Sequence, residues 1–102
     1  MADIFLPEPI TFEWDEANKE KSWKKHKVST KESEQAFFDG SRRLWKDILH
    51  SKKELRYIVL GKTEESRLLF IVFTIRRRTV RVISARDADR RERQMYAKSN
   101  QK

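Results

Sequence analysis

The sequence predicts an α+β protein: a small antiparallel β-sheet with two N-terminal helices and one C-terminal helix, in the order β-α-α-β-β-β-β-α. Three observations lead to this fold class. Helix-start signals occur twice in the first third of the chain, four strand-like segments follow with short connections, and a charged helical segment comes last. Because short connections favour antiparallel neighbours, we expect a meander with the helices packed on one face.

The N-terminal segment supplies one strand and one helix. Residues 1–9 contain two prolines and are predicted to form a flexible arm, and residues 10–14 alternate as a short edge strand. Asp15 can accept backbone N–H bonds as the N-cap of a helix that runs to about His26. Trp23 is the largest apolar residue of that helix, so we expect it in the core rather than stacked on a nucleobase.

A second helix and two strands are predicted before the central hairpin. Ser29 and Glu32 match a capping box, in which each side chain satisfies a backbone N–H of the helix start. Residues 43–47 form one candidate strand and residues 55–60 form another. The polar residues 47–54 between them are interpreted as a loop.

The central hairpin is predicted in most detail. Residues 68–75 are an apolar run rich in β-branched and aromatic side chains, residues 79–85 alternate, and a two-residue loop at 77–78 can join them. Because side chains alternate, this register gives one apolar face with Arg86 at its far end, opposite Leu69. A solvated hairpin tip explains the charges on the other face, although they could also hold a phosphate chain. Those residues are Thr74, Arg76 and Arg81.

The chain length of 102 residues predicts a single domain, which we assign to residues 10–98 with a tail at 99–102. Residues 87–98 are predicted to form the last helix. No signal peptide is evident, since the N-terminus carries acids and prolines instead of a basic start and an apolar run. The sequence therefore predicts a cytoplasmic protein.

The positive charge of the chain is concentrated in its last third. The net charge is +8, and residues 76–98 hold nine Lys or Arg and three Asp or Glu, a net of +6. Clustered positive charge indicates an anionic partner, such as nucleic acid, a membrane surface or an acidic protein. No strong membrane-binding helix is evident, so nucleic acid is the favoured partner.

The chemical inventory limits the reactions available. The sequence has no cysteine, Gly-rich phosphate loop, HExxH motif or carboxylate cluster, so no metal or other cofactor is predicted. Cleavage of RNA by attack of its own 2′-hydroxyl fits, since it needs alignment, proton transfer and positive charge. Arginine stays protonated and cannot be the base. The candidates for positive charge are Arg76, Arg81 and Arg86, those for proton transfer are His26, His50 or a lysine, and those for positioning or stacking are Tyr57 and Tyr96.

An ordered set of short motifs extends from residue 12 to residue 96. It comprises Phe12-Glu13-Trp14-Asp15, Lys25-His26 with Val28, Glu34-Gln35-Ala36-Phe37, Asp47-Ile48-Leu49-His50-Ser51 with Glu54 and Arg56, Gly61, Arg67-Leu68-Leu69, Thr74, Arg81-Val82-Ile83-Ser84-Ala85-Arg86, and Glu92-Arg93 with Tyr96. In this set the chain resembles the BrnT family of bacterial toxins, which pair with BrnA antitoxins in type II toxin–antitoxin systems. It departs from the family at Lys27, where a glycine is common.

The resemblance implies a RelE-like fold and a metal-independent endoribonuclease that cuts RNA, inhibits translation and is neutralised by a BrnA-type antitoxin in a hetero-oligomer. The catalytic candidates are His26, His50, Arg81, Arg86 and Tyr96. The RNA-binding candidates are Lys25, Arg56, Tyr57, Thr74, Arg76 and Arg78. Arg86 could equally tie down the last helix. Two alternatives stay open: a non-catalytic nucleic-acid-binding domain, and an adaptor for an acidic protein.

Overall fold

The computed structural model describes residues 5–50 and 53–99 and has its elements in the predicted order. The strands are β1 (Phe12–Glu13), β2 (Arg43–Lys46), β3 (Tyr57–Lys62), β4 (Leu68–Arg76) and β5 (Thr79–Asp87). The helices are α1 (Glu16–His26), α2 (Thr30–Phe37) and α3 (Arg90–Ser99), and a 3₁₀ turn, Ile48–His50, lies between β2 and β3. The α+β fold class is therefore confirmed. Residues 1–4 of the predicted arm and 100–102 of the predicted tail lie outside the described residues.

The five strands form one sheet in the order β1-β5-β4-β3-β2. Strands β2 to β5 make the predicted antiparallel meander. The edge strand β1 instead runs parallel to β5, with Phe12 opposite Val80 and Glu13 opposite Arg81, so the sheet is mixed and not wholly antiparallel. Two helices separate β1 from the meander, so no hairpin turn determines its direction.

The hairpin between β4 and β5 has the predicted two-residue loop. Arg77 and Arg78 both have positive φ values, 50° and 63°, as a type I′ turn requires. The register is as predicted from the turn to the pair Phe73–Val82. Beyond that pair a β-bulge follows, and Arg86 lies opposite Phe70. The predicted pairing of Arg86 with Leu69 is wrong because an extra residue in one strand reverses the faces beyond it.

The helices cover both faces of the sheet, so the prediction that they share one face is wrong. Helices α1 and α2 cover the larger apolar cluster, which includes Phe37, Val59 and Phe73. Helix α3 brings Tyr96 against Leu60 in a smaller cluster. Val59 and Leu60 are neighbours on β3, so their side chains point to opposite faces.

Both predicted helix caps are present, but the predicted role of Trp23 is wrong. Its side chain is 51% exposed and lies beneath Lys27, with Nζ 5.3 Å from the ring centroid. The buried residue of α1 is Ser22, whose Oγ accepts a hydrogen bond from the backbone N–H of Ala85 at 3.2 Å. A small side chain lets α1 approach β5 closely, which leaves the neighbouring tryptophan at the rim.

The described part of the predicted arm contacts the core. Leu6, inside the predicted arm, is buried in the larger cluster, so this part of residues 1–9 is held against the domain. The division into arm, domain and tail stays a prediction. Among the described residues, no helix is long and apolar enough to span a lipid bilayer.

Candidate active site

An open groove of about 440 Å³ lies where the chain enters β3. His50, Lys53, Glu54 and Arg56 line it. The Glu54 carboxylate forms a two-pronged ion pair with Arg76 at the end of β4, with Nε–Oε2 at 2.7 Å and Nη2–Oε1 at 2.9 Å. The groove therefore combines a histidine, a carboxylate and several cations, residue types that proton transfer and phosphate binding need.

His50 is held by a neighbouring carboxylate. Its Nδ1 lies 2.9 Å from Oδ2 of Asp47, three residues earlier, while the rest of the ring is exposed. The 3₁₀ turn produces this contact, because it places residues three apart on the same side. Asp47 therefore orients the imidazole and directs Nε2 away from itself, which suits a histidine that moves a proton.

Glu54 is an ionised carboxylate among cations. The hydrogen bond from Arg76 lowers the pKa of Glu54, and the charges of Arg76, Arg81 and Arg56 lower it further, while slight desolvation acts in the opposite direction. Three arginines with predicted roles thus favour the ionised form of this carboxylate, to which the sequence analysis gave no role.

Arg81 forms ion pairs with a carboxylate of β1 and with the N-cap carboxylate of α1. Its Nη1 contacts Oε1 of Glu13 at 2.6 Å, and its Nη2 contacts Oδ2 of Asp15 at 2.9 Å. Its cross-strand neighbour Thr74 is only 2% exposed, and the Thr74 Oγ1 finds no hydrogen-bond partner within the described residues. The Thr74 side chain is thus buried in this structure, and its contact with RNA stays a prediction.

Arg86 anchors α3 to the other end of the sheet. Its guanidinium pairs with both carboxylate oxygens of Glu92, at 2.8 and 2.9 Å, and lies 4.2 Å from the ring centroid of Phe70. Glu92 and Asp89 also accept each other's backbone N–H bonds at the helix start, at 2.9 and 2.8 Å. The geometry supports the anchoring alternative for Arg86, and its catalytic role stays a prediction.

Tyr96 is also engaged inside the protein. It is 6% exposed, and its hydroxyl donates to Oδ2 of Asp39 at 2.6 Å. Burial would raise the pKa of Asp39, but hydrogen bonds from Tyr96 and from the backbone of Lys62 and Ser41 lower it overall. This contact joins α3 to the loop after α2, which is a structural role.

Arg67 joins more parts of the fold than any predicted site residue described above, and the sequence analysis assigned it no role. Its guanidinium contacts Asp87 at 2.7 and 3.0 Å and Glu32 at 3.0 Å. It also donates to the carbonyl oxygens of His26 and Lys27, both at 2.8 Å. These partners lie 20 or more residues away, so no local sequence pattern reveals them.

The predicted site residues divide between the two ends of the sheet. Arg67 precedes β4 and Arg76 ends it, so the ends are roughly 30 Å apart at ordinary strand rise. One phosphate cannot contact both. The groove end holds His50, Arg56, Arg76 and Arg81, and the Arg67 end holds His26, Arg86 and Tyr96.

The remaining RNA-binding candidates do not line the groove. Tyr57 is partly buried against the larger cluster, stacked on Phe73 with ring centroids 5.6 Å apart, and its contact with RNA stays a prediction. Lys25 is exposed in the last turn of α1, and Arg78 is exposed at the hairpin turn. Within the described residues, no group of three or more His, Asp or Glu is placed to hold a metal ion.

Comparison with known proteins identifies the fold and then the family. A solved structure, the 1.1 Å crystal structure of the Brucella abortus ribonuclease toxin BrnT, has the same fold, with a TM-score of 0.59 and 19% sequence identity over 79% of this chain and 99% of that chain. The chain thus shares the α+β fold of that domain. A family model described as the ribonuclease toxin BrnT of type II toxin–antitoxin systems matches residues 14–92. The chain therefore belongs to the BrnT family. A comparison with curated proteins gives no match.

Family membership confirms the resemblance drawn from the sequence motifs. A ribonuclease toxin of a type II system implies an RNA target and an antitoxin protein as partner. The RelE-like designation, the reaction mechanism and the BrnA-type identity of the antitoxin stay predictions.

Proposed function

We propose that this BrnT-family chain is a metal-independent endoribonuclease whose active site is the groove of His50, Lys53, Glu54 and Arg56. Cleavage of RNA inhibits translation, and a BrnA-type antitoxin neutralises the toxin in a cytoplasmic hetero-oligomer. The observation that carries the proposal is the meeting of a histidine held by a carboxylate, an ionised glutamate and arginines at one open groove.

The reaction forms one bond and breaks another at phosphorus. The 2′-oxygen of the RNA attacks the adjacent phosphorus, the bond to the 5′-oxygen breaks, and the products are a 2′,3′-cyclic phosphate and a 5′-hydroxyl. Glu54, whose carboxylate is ionised, accepts the proton of the 2′-hydroxyl once the RNA phosphate has replaced it as the partner of Arg76. A protonated His50 keeps its contact with Asp47 and gives the Nε2 proton to the leaving oxygen. Each proton transfer contributes about 10²–10⁴-fold to the rate.

The arginines stabilise the charge that develops on the phosphorane. Arg76 uses Nε and Nη2 for Glu54, and within the described residues its Nη1 makes no hydrogen bond. A phosphate oxygen can bind that nitrogen and then replace the Glu54 carboxylate at Nε and Nη2, because the ion pair is exposed. Arg56 lines the groove directly, and Arg81 adds positive potential from the neighbouring strand.

Incubation of the purified protein with end-labelled RNA in EDTA tests the proposal. We expect fragments that end in 2′,3′-cyclic phosphate, and no cleavage where the nucleotide before the scissile bond is 2′-deoxy. Fragments that vanish in EDTA, or cleavage next to a 2′-deoxynucleotide, would contradict the mechanism.

A second candidate function is non-catalytic nucleic-acid binding. The exposed cations Arg90, Arg91 and Arg93 in the first turn of α3 favour it, because they can contact phosphates without entering the groove. In that case RNA affinity falls steeply with salt while RNA length stays unchanged. The same incubation separates the two functions, since only the ribonuclease produces fragments.

A further inference from the structure

An exposed tryptophan lies on the surface of α1, outside the groove. Of the three tryptophans, all of which belong to the described residues, Trp23 is exposed, whereas Trp14 and Trp45 are partly buried. A pocket of about 320 Å³ adjoins the Trp23 ring, and its other lining residues are Lys19, Glu20, Val28, Ser29 and Thr30. A single exposed aromatic residue is ordinary, so its surroundings decide whether it has a role.

Lysines surround the Trp23 ring. Residues 19–31 hold six lysines and one glutamate, a net charge of +5. Lys27 places Nζ 5.3 Å from the ring centroid, and Lys19, which lines the pocket, pairs with Glu16 at 3.1 Å on the surface. Exposed contacts of this kind are weak, so a phosphate can take these ammonium groups. The helix dipole favours cations in the last turn of α1 only, whereas Lys19 and Lys21 lie before that turn.

We propose that Trp23, with Lys19 and Lys27, binds a single-stranded segment of the RNA substrate outside the active groove. We call these three residues the α1 platform. One unpaired base stacks on the indole ring, and the two lysines contact the phosphates on either side of it. The inference rests on the proposed function for its ligand, RNA, and adds a second contact site for that ligand.

The surroundings of a second exposed aromatic residue show that the charge at Trp23 is specific. Phe38 is 61% exposed, compared with 51% for Trp23, and it also borders a pocket. Three acids line the pocket of Phe38 together with two lysines, and these acids are Glu34, Asp39 and Glu64. Carboxylates repel phosphates, so Phe38 lacks the electrostatic environment that RNA needs. Trp23 combines both requirements, a ring and an excess of cations.

The small apolar area of the α1 platform favours a nucleobase over a protein. Proteins that bind single strands combine aromatic rings, on which bases stack, with cations that follow the backbone. A protein interface instead has an extended apolar core. Here the exposed apolar surface is the indole ring alone, because Val28 beside it is buried.

Helix α1 connects the platform with the groove end of the sheet. Asp15, the N-cap of α1, holds Arg81 at 2.9 Å, and Trp23 follows eight residues later, about 12 Å along the helix axis. An RNA of several nucleotides whose scissile phosphate lies in the groove can therefore reach Trp23. Such a contact strengthens RNA binding without touching the reacting phosphate.

The test compares the loss of stacking with the loss of charge. Trp23→Ala removes the ring, Trp23→Phe keeps an aromatic face, and Lys19→Gln/Lys27→Gln removes the cations. Phe38→Ala is the matched control, because it removes an exposed aromatic ring beside acids. The probe is single-stranded 2′-O-methyl RNA of about 16 nucleotides, which keeps bases and phosphates but blocks the attacking 2′-hydroxyl. Urea unfolding shows whether each variant is folded.

We expect Trp23→Ala to bind the probe about 10-fold more weakly, since one stacked base is lost. Trp23→Phe and Phe38→Ala should bind close to the wild type. The lysine variant should lower the slope of log affinity against log salt by about 0.7 for each lysine. With cleavable RNA of the same length, Trp23→Ala should raise KM and keep kcat. A duplex should bind the wild type and Trp23→Ala equally, because its bases are already stacked.

Wild-type affinity of folded Trp23→Ala for the probe, or an equal loss in Phe38→Ala, would overturn the proposal. A variant that keeps its RNA affinity but no longer binds the protein encoded by the adjacent reading frame would show that Trp23 belongs to a protein interface. If Trp23→Ala does not fold, an unchanged salt dependence of the lysine variant contradicts the proposal.

Failure of the proposed function gives a different pattern. If the wild type cuts no RNA but its binding of the probe depends on Trp23, the ribonuclease assignment fails and the α1 platform stands. If the wild type cuts RNA and Trp23→Ala binds the probe equally well, the platform alone fails.

Discussion

Arginines with similar ion pairs have different roles in this chain. Arg76 and Arg86 each form a two-pronged pair with a glutamate. The partner of Arg76 lines an open groove, whereas the partner of Arg86 is a nearly buried residue in the first turn of α3. An exposed pair can exchange its carboxylate for a phosphate at little cost, because surface ion pairs contribute little to stability. The surroundings of the carboxylate therefore distinguish a binding arginine from an anchoring one.

At Tyr96 the structure and the predicted catalytic role lead to different expectations. We expect Tyr96→Phe to lower the free energy of unfolding by about 1–2 kcal/mol, because the hydrogen bond to Asp39 is lost. Cleavage per folded molecule should stay at the wild-type rate. Urea unfolding and RNA cleavage measure the two quantities. A folded variant of unchanged stability that cuts RNA more than tenfold slower would restore the catalytic role.

At the scale of elements, helix caps that depend on neighbouring residues were predicted correctly, whereas the pairing of residues along β4 and β5 was predicted only in part. Asp15, Ser29 and Glu32 cap helices through contacts two or three residues away, so their patterns are visible in the sequence. The bulge in the β4–β5 hairpin is not visible there, because either register buries apolar residues on one face. That one irregularity moved Arg86 to the opposite face.

Helix α2 and strand β3 approach each other closely at Gly61. A Cβ there would lie 2.3 Å from the carbonyl oxygen of Ala36, whereas a Cβ at Gly40 meets nothing within 4 Å. We expect Gly61→Ala to destabilise the protein by about 1–3 kcal/mol or more, because the helix must shift. Gly40→Ala, the matched control, should change stability by less than about 0.5 kcal/mol. Equal unfolding midpoints of the two variants would contradict this packing.

At the scale of the whole molecule, Arg67 connects the end of α1, the start of α2 and the end of β5. Its hydrogen bond lowers the pKa of Asp87, and the bonds from Ser29 and Arg67 lower the pKa of Glu32 despite the opposing effect of burial. Both pKa values are below their unfolded values of about 3.9 and 4.3. The stabilisation is therefore present above about pH 4 and is lost as the pH falls through the folded values.

We expect Arg67→Gln to be less stable than the wild type by about 1–3 kcal/mol at pH 7, because charged hydrogen bonds are lost. Its stability should also fall less between pH 5 and pH 3. Urea unfolding across that range measures both effects, with Arg91→Gln, an exposed arginine, as the control. A variant with the wild-type pH dependence would show that Arg67 does not hold these carboxylates.

The candidate site could also be predicted only in part, because contacts between residues far apart in the chain are not visible in the sequence. The sequence analysis named His50 and Arg56, which line the groove, and Arg76 and Arg81 beside it, because they carry the chemistry that RNA cleavage needs. It also named His26, Arg86 and Tyr96, which the folded chain places at the far end of the sheet. Residue type is visible in a sequence, but the end of the sheet at which a residue lies depends on contacts between distant segments.

The two histidines of the chain, one at each end of the sheet, give the most direct test of the groove as the active site. The measurement is the single-turnover rate of RNA cleavage in EDTA for His50→Ala and for His26→Ala, each shown to be folded. We expect His50→Ala to cut RNA at least about 100-fold more slowly, since a proton donor is lost, and His26→Ala to keep the wild-type rate. Wild-type cleavage by His50→Ala, or a larger loss in His26→Ala, would contradict the account.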